Sequence, residues 1–353
     1  MLRRLRHIVM MLMALLTLVG CDKTIHEYPG EQHLTLTVRC SVDLTPPEYF
    51  TTVECDPETG TNYVVRAQSV EPLGTRFSEP VCLRYVIDLY RVSASHSTFV
   101  ERKVLFADVE DPNPQAIATF DVDASKYKVL VWCDYVQDDV REAWYYNTDD
   151  LRKITYSDEP VKDNNDKDVF TNMIDVDLTD YYYLDGKFEI VEDVDLQRPK
   201  GRFKVITTDV DDYVKNGSDI NDITAVVTYT QYVSAGYNVE DQKPNYFEPT
   251  RTFITNAKMN DDGELELCYD YVFVNGKQTN VKINFNFYRG DISVGADGVV
   301  TGEEISHWTG IVVPLKRNME TIVEGRMLTT NFGTGGFGID PGFEGETVIP
   351  WGD

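Results

Sequence analysis

Short runs of alternating apolar and polar residues recur along almost the whole chain, and sustained helical periodicity is nearly absent. Leu34, Leu36 and Val38 point one way while Thr35, Thr37 and Arg39 point the other, the period-two signature of a half-buried strand. Comparable runs occupy Tyr63–Val65, Arg84–Tyr90, Ala118–Val122, Lys128–Cys133, Lys187–Val191, Arg202–Thr207, Ala225–Tyr232, Thr252–Ala257, Glu264–Tyr269, Val281–Tyr288 and Gly310–Pro314. Turn-rich clusters such as Asp56-Pro57-Glu58-Thr59-Gly60 and Asp111-Pro112-Asn113-Pro114 separate them. Asn275-Gly276 suits a type I′ hairpin turn, and only Trp144–Leu151 and Asp209–Lys215 suggest short helices. Many short strands divided by turns define an all-β chain of sandwich type. At 353 residues the chain is long enough for two domains. The polar link Gln197-Arg198-Pro199-Lys200 predicts domains at 34–197 and 198–353.

The N-terminus carries the most specific motif. Arg3, Arg4, Arg6 and His7 precede the apolar run Ile8–Val19. Twelve helical residues span about 18 Å, too short for a hydrocarbon core of about 30 Å. The segment 1–20 therefore reads as a secretory signal peptide. It ends in Leu18-Val19-Gly20-Cys21, similar to the lipobox of bacterial lipoproteins. That likeness implies cleavage between Gly20 and Cys21, a diacylated Cys21 thiol, and an added acyl chain such as palmitate on the new amine. Two or more chains give stable anchoring where one does not. Residues 21–33, with Pro29 and Gly30, suit a lipidated tether.

The formal charge is −26, from 59 acidic and 33 basic residues. Loss of three arginines with the signal peptide takes −26 to −29. Such a chain repels phosphate backbones, which excludes nucleic acid as a partner. Gly333-Thr334-Gly335-Gly336-Phe337-Gly338 matches G-x-G-x-x-G literally, but Asp340-Pro341-Gly342 follows at once and leaves no room for a βα unit. Val161–Asp168 is rich in Asp and Asn, yet counting from Asp163 places Lys167 and Asp168 where a calcium loop needs a ligand and a glycine. It reads as a solvated acidic loop. No HExxH, no Gly-x-Ser-x-Gly and no Cys/His metal spacing occurs, so the expectation is no catalysis, no metal and no cofactor. With Cys21 lipidated, Cys40, Cys55, Cys82, Cys133 and Cys268 remain. They read as small buried thiols with at most a bridge such as Cys40–Cys55.

From Asn331 to Gly345 there are six glycines, unfavourable in a regular strand or helix. The apolar segment Thr347, Val348, Ile349, Pro350 and Trp351 follows. It either folds back as the last strand of its own domain or adds to a neighbouring sheet edge as a strand-exchange segment.

The lipobox, the two strand-dense halves and several short motifs resemble the fimbrillin-like lipoproteins of Bacteroidales, especially their fimbrial anchor or accessory members. The motifs are Ile25-His26-Glu27-Tyr28-Pro29, Thr45-Pro46-Pro47-Glu48-Tyr49, Leu315-Lys316-Arg317-Asn318 and Gly338-Ile339-Asp340-Pro341-Gly342-Phe343. The resemblance implies two successive transthyretin-like β-sandwich domains and a cell-surface, outer-membrane lipoprotein assembled into type V pili by strand exchange. It implies other fimbrial subunits as partners and outer-membrane lipid through Cys21. In the main pilin of that family an arginine-specific protease removes the first strand, for which Arg39 and Arg66 are the candidates here. Neither lies in a convincing loop motif, which favours an anchor, tip or accessory role. The alternative is a lipoprotein binding a host or bacterial surface glycan through exposed aromatics, with Trp132, Trp144, Trp308 and Trp351 as candidates, and a host or bacterial surface protein is the other partner such a location suggests.

Overall fold

In the computed structural model, residues 33–58, 61–65, 80–94, 96–157, 167–184, 186–260, 263–295 and 298–332 are described. The first alternating run becomes β1 (His33–Val42), with Leu34, Leu36, Val38, Cys40 and Val42 at 0–6% exposure. It lies between β6 (Gln115–Val122), antiparallel to it, and β11 (Lys187–Leu196), parallel to it. A second sheet covers the apolar face, in the order β10 (Val169–Asp177), β7 (Lys126–Gln137), β4 (Val81–Val92), β5 (Ser97–Asp108). The facing side chains form the first core.

A six-stranded sheet builds the second sandwich. Its order is β17 (Lys258–Met259), β18 (Leu265–Phe273), β12 (Lys200–Thr207), β21 (Met319–Gly325), β2 (Glu48–Asp56), β3 (Thr61–Val65). It faces β16 (Arg251–Asn256), β13 (Ile223–Tyr229), β19 (Thr279–Val294) and β20 (Val300–Leu315) across the second core. The one α-helix among the described residues, α1 (Val210–Lys215), buries Tyr213, in keeping with the helix read at Asp209–Lys215. Strand β2 follows β1 in sequence yet pairs in parallel with β21, and its Val53 and Cys55 join the second core. The strand pair β2–β3 crosses the 197/198 division expected from the sequence.

A third cluster joins the two halves. A small sheet in the order β15 (Lys243–Glu248), β14 (Val233–Asn238), β9 (Ile154–Tyr156), β8 (Tyr146–Asn147) takes strands from both. Its Ile154 and Tyr237 pack on Val86, Tyr90, Leu130 and Trp132 of β4 and β7. Because β4 and β7 are covered on both faces, they read as continuous apolar runs. In Val129-Leu130-Val131-Trp132-Cys133, the odd-numbered residues enter the first core and the even-numbered ones the third.

The all-β class expected from alternation is what the chain adopts, with three local departures. Trp144–Leu151 is not helical: Tyr145 and Tyr146 are buried in an aromatic cluster, and an Asx turn at Asn147 breaks the segment (Asp149 N–H to Asn147 Oδ1, 3.0 Å). The Asn275-Gly276 turn joins β18 to β19, which belong to different sheets, so it closes no hairpin. Gly276 has φ of 71°, but Asn275 is not left-handed, as a type I′ turn requires. Cys40 and Cys55 sit in separate cores, so the bridge considered for them does not form. All five described cysteines are free and buried, and desolvation pushes the Cys40 and Cys55 thiols up to about 12.

Candidate functional site

Two places concentrate the residues that matter, the setting of β1 and the junction between the sandwiches. β1 is an interior strand, laddered to β11 from His33↔Lys187 to Val42↔Leu196 and to β6 from Leu34↔Val122 to Ser41↔Gln115. Each fully buried aliphatic side chain on it contributes about 1.5–3 kcal/mol over exposure. Its outer face is tied to β11 as well. Arg39 donates to both carboxylate oxygens of Asp193 (2.7 and 3.0 Å), and Ser41 Oγ donates to Asp195 (2.6 Å). Both Arg39 and Asp193 are half-exposed or more, so the pair itself adds little stability. Gly20, Cys21, Arg66 and Thr347–Trp351, like the glycine-rich match, lie outside the described residues.

At the junction, alternation on β12 sends Phe203 and Val205 into the second core and Lys200, Arg202 and Lys204 to the opposite face. These cations are buried, with Arg202 and Lys204 held by Glu320 at 3.2 and 3.6 Å. Lys167 Nζ donates to Asp270 Oδ1 (2.8 Å), whose Oδ2 accepts from Tyr229 (2.8 Å). Arg198 grips Asp168 with both arms of its guanidinium (2.6 and 2.8 Å). Asp168, expected in a solvated acidic loop, is buried instead because Arg198 compensates its charge. Asp163–Asp166 lie outside the described residues.

Lys200 has no carboxylate in contact among the described residues. Its ammonium donates to the Tyr146 and Tyr156 hydroxyls and the Lys167 carbonyl, over the rings of Tyr146, Tyr156 and Phe273. Desolvation holds its pKa well below the usual lysine range. The unfolded chain then binds the proton that the folded chain releases, so stability rises with pH up to the ordinary lysine value of about 10.4. Lys200→Met is expected to match or exceed the parent's stability at pH 7 and to flatten that rise. Tyr146 keeps its hydrogen bond to the Lys167 carbonyl (2.5 Å), and urea unfolding from pH 6 to 10 reads the difference.

The aromatics divide sharply. Trp132 and Trp308 are fully buried and Trp144 is half-buried, while Trp351 lies outside the described residues. Trp132 and Trp308 therefore supply no exposed platform for a sugar ring. Among the described residues the outward aromatics are Tyr182, Tyr183, Tyr232, Tyr246, Phe99 and Phe106. Among the described residues no three His, Cys, Asp or Glu side chains gather as a metal site requires. No helix among them is long and apolar enough to cross a membrane.

The architecture defines an all-β protein of two sandwiches locked through a shared aromatic and ionic seam. By sequence, residues 48–350 match the family described as "Family of unknown function (DUF6562)", and the chain belongs to that family. No curated protein matches it. Similar solved structures include a proposed adhesin from Bacteroides ovatus, at 12% identity over 78% of each chain with a TM-score of 0.41. The fimbrial anchor protein Mfa2 from Porphyromonas gingivalis is similar at 9% identity, over 78% of this chain and 82% of that one, with a TM-score of 0.38. The tip fimbrial protein Mfa3 from the same organism, with C-terminal truncation, is similar at 10% identity over 77% and 81%, with a TM-score of 0.35. This is likeness in broad layout, and the chain's own residues carry the functional reading.

Proposed function

We propose that this chain is a non-catalytic surface lipoprotein, held at the outer membrane by acyl chains on Cys21, that serves as an anchor, tip or accessory subunit of a type V pilus. Its two sandwiches, at 34–197 and 198–353 with β2–β3 of the first range laid into the second, are of transthyretin-like form in this reading. The placement of β1 carries it. Cleavage after Arg39 would cut the strand between Val38 and Cys40, at 0 and 1% exposure, in a segment laddered on both sides. A protease needs an extended, unpaired stretch, so the burial and pairing of β1 support a subunit that is not cut at Arg39. Thr347–Trp351 would then complete the assembly by adding to a sheet edge.

Intact-mass analysis of the protein from surface-sheared material and from outer membranes tests this. A chain beginning at an acylated Cys21 is the expected result. A chain beginning after Arg39 or Arg66 would make it a processed, polymerising pilin instead. Deletion of Gly345–Asp353 is expected to abolish incorporation into pili with the fold intact, and unchanged assembly would remove strand donation from the reading.

A further inference from the structure

The segment between β10 and β11 is a 3-10 turn, Thr179–Tyr183, with no buried residue. Tyr182 is 60% exposed, Tyr183 88% and Leu184 45%, while Tyr181 packs on Phe188 at 5.3 Å. The turn is firmly moored on its first side. Asp177 accepts from Lys126 (2.8 Å) and from the Thr179 backbone and hydroxyl (3.1 and 2.6 Å), and Leu178 N–H donates to the Ser125 carbonyl (2.9 Å). The outward rings are thus presented by a fixed backbone. Tyr182 and Tyr183 meet edge to face at 4.9 Å.

Position gives this patch its meaning. His33 N–H donates to Gly186 O (3.2 Å), and His33 pairs with Lys187, so the chain enters the fold a few residues from the exposed tyrosines. The second sandwich is reached from the other ends of β1 and β11, at Val42 and Leu196, about 33 Å away along a ten-residue strand. His33 lies twelve positions beyond Cys21, a reach of at most about 43 Å. A tether that short keeps this pole at high effective concentration over any surface that holds Cys21. The rim is mixed in sign despite the acidic chain, with ion pairs Arg91–Asp123 (3.2 Å) and Lys126–Asp177 (2.8 Å). Tyrosine rings prefer the boundary between lipid headgroups and acyl chains, where the ring is half in apolar surroundings and the hydroxyl stays wet.

We infer that Tyr182, Tyr183 and Leu184 dock this pole onto the bilayer surface, orienting the subunit with its second sandwich outward. The inference rests on the lipid-anchor reading above. The chain from Cys21 onward, coupled through Cys21 to a maleimide lipid in phosphatidylcholine vesicles, tests it, because the other described cysteines are buried. With Tyr183→Trp, the added emission should shift to the blue and be largely lost when the vesicles contain acyl-brominated lipid. With Tyr232→Trp, at a 65% exposed position on the second sandwich, it should do neither. Unquenched emission from Tyr183→Trp, or equal quenching at both positions, would overturn the docking. An unacylated Cys21 in cells would overturn the anchor reading separately, since the vesicle assay supplies the tether chemically.

Discussion

Arg198→Ala is expected to destabilise the chain by about 3–5 kcal/mol, the range seen when one partner of a buried ion pair is removed. Among the described residues Asp168 would keep a single donor, the Val169 backbone N–H at 3.0 Å, for a carboxylate 5% exposed. The loss extends beyond the pair. Arg198 also donates to the Thr45 carbonyl (3.2 Å) and the Asn318 side chain, and lies over the Phe170 ring at 4.7 Å. Asn318 in turn accepts from the Glu48 N–H (3.0 Å) and donates to the Lys200 carbonyl (2.8 Å). The guanidinium therefore ties together three connections that pass between sheets: β1 to β2, β11 to β12, and β20 to β21. Arg198→Lys should recover only part of the loss, because an ammonium cannot reproduce the two-armed contact. Urea unfolding should show a lower midpoint for Arg198→Ala. The Arg198→Ala/Asp168→Ala double variant should lose less than the sum of the single variants, since it leaves no unpaired carboxylate. Additive losses would mean that the pair is not the source of the effect.

What the sequence reveals here follows the range of the forces involved. Period-two alternation is local, so β1 and the edge strand β6 (burial alternating from Ala116 to Phe120) are legible directly. The doubly covered β4 and β7 are legible as apolar runs. Partner choice is not local. Nothing between Glu48 and Asp56 states that the strand will lie beside Met319–Gly325 rather than fold back on β1. Lys200, Arg202 and Lys204 alternate with Phe203 and Val205, as a strand with one wet face would, and the pattern does not disclose that the polar face is covered. A signal was present, since Glu266 and Glu320 fall on the neighbouring strands in position to answer Arg202 and Lys204. It is visible only once strand order is known. The exposed tyrosine turn was hidden by composition: with 21 tyrosines in the chain, three adjacent ones do not stand out until most of the others are seen to be buried.

The second large effect is expected at Trp132, where the outer face of the first sandwich meets side chains from both halves. Its fully buried ring lies 5.2 Å from Tyr146 and 6.4 Å from both Tyr237 and Phe273. Trp132→Ala removes the ring from a packed aromatic cluster and should destabilise by about 3–5 kcal/mol. Trp132→Phe should behave very differently. The indole N–H is buried with no hydrogen-bond partner among the described residues, and such a group carries a penalty of about 1–3 kcal/mol. Phenylalanine discards that group while keeping most of the apolar contact, so the lost ring area and the relieved donor oppose each other. The net change should be a small fraction of the alanine loss. Hydrogen exchange locates the damage: Trp132→Ala should speed exchange in β9 and β14, which pair Thr155 with Gly236 and Ile154 with Tyr237 over this ring, more than in β1. Equal losses for the alanine and phenylalanine variants would show that the indole N–H is satisfied and that the cluster depends on the full tryptophan shape.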